Sequence, residues 1–234
     1  MPKKLFKKRC HIYIKIVISY IIAMVMKEIM SYANVWMSRQ KKTKIVFEKF
    51  NFDLFKKIFL YYWFFSIVGH YGELVYSELL HIILNKPIGG HIISTLTPAA
   101  SPYGLGAIAV LLIIWPLVKS HRIGPVGTFI ASIFLTGVVE YICAVIVIIF
   151  AGYNPFWSYS DKFLNFNGQV CLESATIFGI SATFAVYFVF PFTEKIYQAI
   201  AKNLLNILFW LLIASYTADA IYTYVRVFVF KQPA

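Results

Sequence analysis

The stretch "VGHYGELVYSELLH", residues 68–81, sets His70, Glu73, Ser77 and His81 at i, i+3, i+7 and i+11. On a helix these positions share one face. Two imidazoles and a carboxylate would then form a polar stripe inside an otherwise apolar run, 58–84. Such a stripe can capture a cation, exchange protons or ligate a metal. Glu140 in "GVVEYICAV" and Asp219 in "SYTADAIYT" also stand in apolar runs, and Glu173 opens a further one. A charged acid at the centre of a bilayer costs about 2.5–3.5 kcal/mol even on the gentlest scale, so such residues face a bundle interior or water. Glu78 points about 140° away from Glu73 and is expected to reach the headgroups with His81.

Metal ligation is the weaker of these chemistries. His70-x-x-Glu73 and Glu78-x-x-His81 have ligand-like spacing, but di-iron bundles need a second Glu-x-x-His and two further Glu. The chain has no second copy. Neither a metal nor another cofactor is expected. Cys10, Cys143 and Cys171 show no zinc-like or disulfide-like spacing, and Cys143 and Cys171, in apolar segments, are read as small packing residues.

The elements that must position these groups are membrane helices. The 234 residues are 60% hydrophobic, 18% aromatic and 14% charged, with mean hydropathy +0.71. A soluble domain carries roughly 25% charged residues. The expected fold is all-α, a polytopic helical membrane bundle with five core transmembrane helices. Their expected ranges are 58–84, 102–118, 126–150, 171–192 and 204–229. A β-barrel would show alternation over ~10 residues instead of continuous apolar runs. A shorter apolar segment, 10–26, carries Lys15 and is a candidate sixth helix, interfacial or transmembrane. No internal repeat is evident by eye.

Charge sets the orientation. Residues 1–57 hold 14 of the 22 Lys and Arg and only three acids. The chain therefore divides into a basic N-terminal region, 1–57, and a transmembrane domain, 58–234. A Lys-rich flank beside apolar segments marks the cytoplasmic face and anionic lipid rather than nucleic acid. With 27–57 inside, Lys119 and Arg122 also face in, as do Lys195 and Lys202, while the poorly charged 85–101 and 151–170 face out. Glu73, Glu140 and Asp219 then lie about 10 residues below the outer surface, roughly 15 Å deep and near the midplane. Glu173 sits higher, in the first turn of its helix. Arg226, seven residues after Asp219, is a candidate ion-pair partner for it.

The outer segment "AGYNPFWSYSDKFLNFNGQVCLES" is read as a folded cap that turns at Gly168 and leads to Glu173. With "TPAASPYGLG" it is expected to line an outward vestibule. No P-loop, serine elbow or paired-His zinc helix occurs, so the chain has no nucleotide engine of its own and enzyme chemistry is not the leading reading.

"FSIVGHYGELVYS", "SPYGLGAI", "GVVEYICAV" and "FWSYSDKFLNFNGQVCLESATIFG" occur in an order that resembles the CmpB-type, type IV ABC-transporter membrane family. The resemblance spans roughly residues 60–225. By position it implies roles for Glu73, Tyr103-Gly104, Glu140-Tyr141, and Trp157 with Tyr159-Ser160. The family usually has Trp-Asp-Tyr-Ser, whereas Ser158 stands here. The resemblance also implies a permease working with a separate ATPase.

The leading expectation is a permease-type protein of the plasma or inner membrane, acting alone as a homo-oligomer or with that ATPase. Its carboxylate-lined cavity would hold Glu73, Glu140, Asp219 and His70, and open outward past Glu173, Tyr103, Trp157 and Tyr159. The alternatives are an intramembrane enzyme or metalloprotein using His70, Glu73 and Glu140, and a structural subunit whose acids only staple helices.

Overall fold

The computed structural model describes residues 50–84 and 101–230, together with 24, 27, 31 and 43–45. Five long helices make up most of it. They are α1 (Phe52–Leu84), α2 (Ser101–Lys119), α3 (Pro125–Ala151), α4 (Leu172–Ala199) and α5 (Lys202–Tyr224), the last extended by a π-turn over Val225–Val229. The fold is an all-α helical bundle, and four of its helices, α2 to α5, are long and apolar enough to cross a membrane. The longest, α1, has 33 residues, about 50 Å, but Tyr, Gly, His and Glu dilute its apolar content. The candidate helix 10–26 lies outside the described residues apart from Met24.

Lipid as solvent explains the pattern of α3. Its buried face is Thr128, Ser132, Thr136, Glu140 and Ala144, one residue every four. Its exposed face is Val126, Ile130, Phe134, Val138, Ile142 and Ile146. In hydrocarbon no hydrophobic force pairs helices, so small and polar residues take the interface and branched apolar ones face outward. Thr128 and Thr136 donate to the carbonyls of Gly124 and Ser132, at 3.0 and 2.7 Å. The ends are conventional, with Pro125 in the first turn and Gly152 in the left-handed region at φ 80°.

Both α2 and α4 contain a proline yet continue past it. Each has a π-turn just before, over Val110–Ile114 and Ala185–Val189, followed by Trp115-Pro116 and Phe190-Pro191. Proline lacks an N–H and crowds the carbonyl four residues back. The wider i→i+5 turn places a residue there without that clash. This is why α4 reaches Ala199, beyond the expected end at 192.

The helices cross where glycine allows it. A Cβ at Gly104 would overlap Ser66 and Tyr62 of α1, and one at Gly69 would overlap Tyr103 of α2. On α4 a Cβ at Gly179 would strike Ile133 and Phe129 of α3. Towards the Ser120–Gly124 turn, here the turn end, the bundle is filled by Tyr61, Phe65, Val110, Ile114, Val118, Val186 and Phe190. A Lys57–Glu194 ion pair at 3.0 Å joins α1 to α4 there, and the Tyr61 hydroxyl donates to the same carboxylate at 3.2 Å. Alongside α1 runs α5, where Phe209 meets the edges of Phe52, Phe55 and Phe59.

At the opposite, loop end, residues 152–171 fold into a cap. Strands β1 (Asn165–Phe166) and β2 (Val170–Cys171) pair antiparallel. Asn167 and Gly168 turn between them with φ of 52° and 68°. The Trp157 indole donates to the Gln169 carbonyl at 2.9 Å, and the Tyr159 N–H to the Gly168 carbonyl at 2.7 Å.

Candidate functional site

A single cluster near the loop end draws one polar group from each of α1 to α4. The Tyr103 hydroxyl of α2 donates to Glu73 Oε2 of α1 at 2.6 Å. On α3, Glu140 is 6% exposed. It accepts from the Tyr159 hydroxyl at 2.9 Å, and its other oxygen lies 3.3 Å from Ser174 Oγ of α4. The two carboxylates are electrostatic neighbours, and Tyr103 lies within reach of Tyr159 and Glu140 as well.

Local structure fixes each donor. Tyr159 hangs from the cap, whose hairpin holds its backbone N–H. Burial, and then the Glu140 carboxylate, push the Tyr159 hydroxyl well above the ordinary phenol range. It therefore stays protonated and keeps donating. Ser174 belongs to a capping box. Cys171 is the N-cap of α4, its thiol accepts from the Ser174 N–H, and the Cys171 N–H donates to Ser174 Oγ. The Ser174 hydroxyl has one proton and two acceptors in range, Glu140 and the Cys171 carbonyl at 3.0 Å. Sequence reasoning missed Ser174, although Cys171-x-x-Ser174 just ahead of an apolar run is a capping spacing.

The other candidates are placed differently. Glu173, in the first turn of α4, accepts from Tyr76 of α1 at 3.3 Å and pairs with Lys162 of the cap at 3.4 Å. That makes it a tie at the mouth. Trp157 holds the cap together through Gln169. His70 is 8% exposed, one turn before Glu73, and among the described residues its Nδ1 has no hydrogen-bond partner. Asp219 is 4% exposed on α5, one turn beyond Tyr216, and makes none of the hydrogen bonds just described. Glu78 and His81 are exposed. Among the described residues no group of three His, Cys, Asp or Glu is arranged to hold a metal ion.

An apolar groove of about 350 Å³ lies apart from this cluster, between α1, α2 and α5. Phe59, Tyr62, Leu105 and Tyr216 are among its walls. The Tyr216 hydroxyl bonds Tyr62 and, at 2.8 Å, Ser101, tying α5 to both neighbours.

Comparison with known proteins agrees with this architecture at the level of the family. No curated protein and no solved structure matches the chain. Residues 60–224, from the first turns of α1 to the end of α5, match the family described as "Putative ABC-transporter type IV". A bundle of helices long and apolar enough to cross a membrane is consistent with that match, and the chain belongs to this family of transport-related membrane proteins.

Proposed function

We propose that the protein is a permease-type transport component that binds a small cation, or protons in its place, between Glu73 and Glu140. One observation supports this above the rest: two carboxylates from different helices converge in a cluster to which four helices and the cap contribute. Isolated staples would need only one acid and one donor. The turn end faces the cytoplasm of a plasma or inner membrane, by the positive-inside rule. The basic N-terminal region lies on anionic lipid, and a separate ATPase or a second copy of the chain completes the transporter. His70, one turn before Glu73 on α1, adds a buried imidazole to this pair, and Asp219 on α5 is a further buried acid. The apolar layer at the turn end closes the inner side, so the site takes its solute from the outside.

Uptake of radiolabelled sodium, rubidium and methylammonium into proteoliposomes tests this reading. One of them should enter with the native protein and fall to the level of empty vesicles in Glu73→Gln and in Glu140→Gln. Equal uptake in both variants would overturn it.

The staple reading has one observation in its favour, since each carboxylate already accepts a phenol hydrogen bond. It predicts that the same variants lower the melting temperature and leave every flux unchanged.

A further inference from the structure

The α1–α2 pair and the α3–α4 pair carry one pattern twice. On the first helices the offset is 67: Tyr62, Ser66 and Glu73 correspond to Phe129, Ile133 and Glu140. On the second helices it is 75: "YGLGA" from Tyr103 corresponds to "FGISA" from Phe178. The same offset carries the π-turn Val110–Ile114 onto Ala185–Val189, and Trp115-Pro116 onto Phe190-Pro191.

The packing repeats with the sequence. The residues that a Cβ at Gly104 would meet are Tyr62 and Ser66; those at Gly179 are Phe129 and Ile133, their counterparts. Across the bundle, counterparts touch each other. The Tyr103 and Phe178 rings stand 5.7 Å apart and the Trp115 and Phe190 rings 6.0 Å apart. Glu73 and Glu140 are electrostatic neighbours. A residue meets its own counterpart only near a two-fold axis. The two ring meetings, separated by twelve positions or about 18 Å of helix, trace an axis running parallel to the helices. Because both pairs run in the same direction, the repeat is parallel rather than inverted.

We propose that the chain contains two copies of one helix pair, related by a two-fold axis along the membrane normal. The two pairs are the rigid bodies that part at the turn end, and the solute passes along the axis between them. Within a pair the glycine crossings leave no slack, and packed interfaces of that kind move as units. Between the pairs, the turn end is closed by the Trp115–Phe190 contact and the Lys57–Glu194 ion pair. That ion pair is not repeated. The counterpart of Glu194 is Lys119 and that of Lys57 is Gly124; Lys119 lies over Trp115 instead. Among the described residues, this ion pair therefore latches the inner closure on one side and not on the other. The passage of solute rests on the function proposed above; the two-body motion does not.

Distances between spin labels on the full-length chain in lipid nanodiscs test the motion. Cys10→Ser, Cys143→Ala and Cys171→Ser provide the background. Lys119→Cys with Lys195→Cys reads across the pairs. Phe64→Cys with Leu112→Cys, and Ile130→Cys with Phe188→Cys, read within them. Releasing the latch with Lys57→Ala should lengthen the distance across the pairs by roughly 5 Å, the scale of a one-turn shift, and leave both inner distances unchanged. Glu194→Gln, which keeps an acceptor for Tyr61, should move it in the same direction. An unchanged distance across the pairs in both variants, or equal changes within them, would overturn the proposal. A positive result with unaltered uptake in Glu73→Gln and Glu140→Gln would leave the two-body motion standing and remove only the carboxylates' role.

Discussion

The Tyr159 hydroxyl donates to Glu140 Oε1 at 2.9 Å, so the cap and α3 are locked together at a buried acid. The Tyr103 bond to Glu73, at 2.6 Å, does the same for α2 and α1. Each acid of the site thus has its own phenol, one from a helix and one from a loop.

Removing either phenol should be costly. Hydrogen bonds to charged groups contribute about 1.5–3 kcal/mol. Tyr103→Phe and Tyr159→Phe should each lower the unfolding free energy by that order, measured by denaturant titration in detergent micelles. Since the two acids are neighbours, the double variant should depart from additivity by about 0.5 kcal/mol or more.

Alkaline pH should weaken the fold through Tyr159. Its folded hydroxyl is held above the ordinary phenol range by burial and by Glu140, so the native state keeps a proton that the unfolded chain loses. The stabilisation is complete below the unfolded phenol value of ~10 and declines as pH rises from there towards the folded value. Tyr159→Phe should flatten part of the fall in melting temperature above that pH, whereas a slope identical to the native one would exclude the assignment.

The crossing glycines should both be intolerant, Gly104 the more so because a Cβ there also meets the Tyr62 carbonyl. Gly104→Ala and Gly179→Ala both force atoms into occupied space, and overpacking of this sort costs about 1–3 kcal/mol. Gly72→Ala is the control, because a Cβ there meets nothing within 4 Å. It should be neutral or stabilising by up to ~1 kcal/mol through helix propensity. Thermal unfolding of the three variants side by side gives the comparison.

The cap of α4 should tolerate oxygen in place of sulfur. Cys171→Ser retains an acceptor for the Ser174 N–H, while Cys171→Ala removes it at a cost of about 0.5–2 kcal/mol. Loss of the capping box should also loosen Ser174 from Glu140, visible as faster amide exchange over 172–176.

Helix positions were legible in the sequence because apolar runs and their polar breaks mark them directly. The reach of α4 past Pro191 was not, since a π-turn leaves no periodicity of its own. Glu73 and Glu140 stood out as acids in apolar surroundings, but a shared depth, expected of Asp219 as well, does not say which acids come near each other. Ser174 was hidden because a serine in a membrane helix is common, and only its spacing from Cys171 distinguishes it. The repeat escaped notice because it rests on a few Gly, Ala, Pro and Glu positions at fixed offsets. The apolar residues around them vary freely wherever they face lipid.

The self-bonded threonines of α3 bear on how the protein is made. Thr128 and Thr136 spend their hydroxyl protons on carbonyls of their own helix, so neither needs a neighbour to be content in hydrocarbon. During synthesis α3 enters the bilayer before α4 and the cap have been translated. Of its buried polar stripe, those two hydroxyls arrive already satisfied, while Glu140 must wait for Ser174 and Tyr159. The order of the chain therefore leaves Glu140 without its two donors until the cap and the first turn of α4 have followed it.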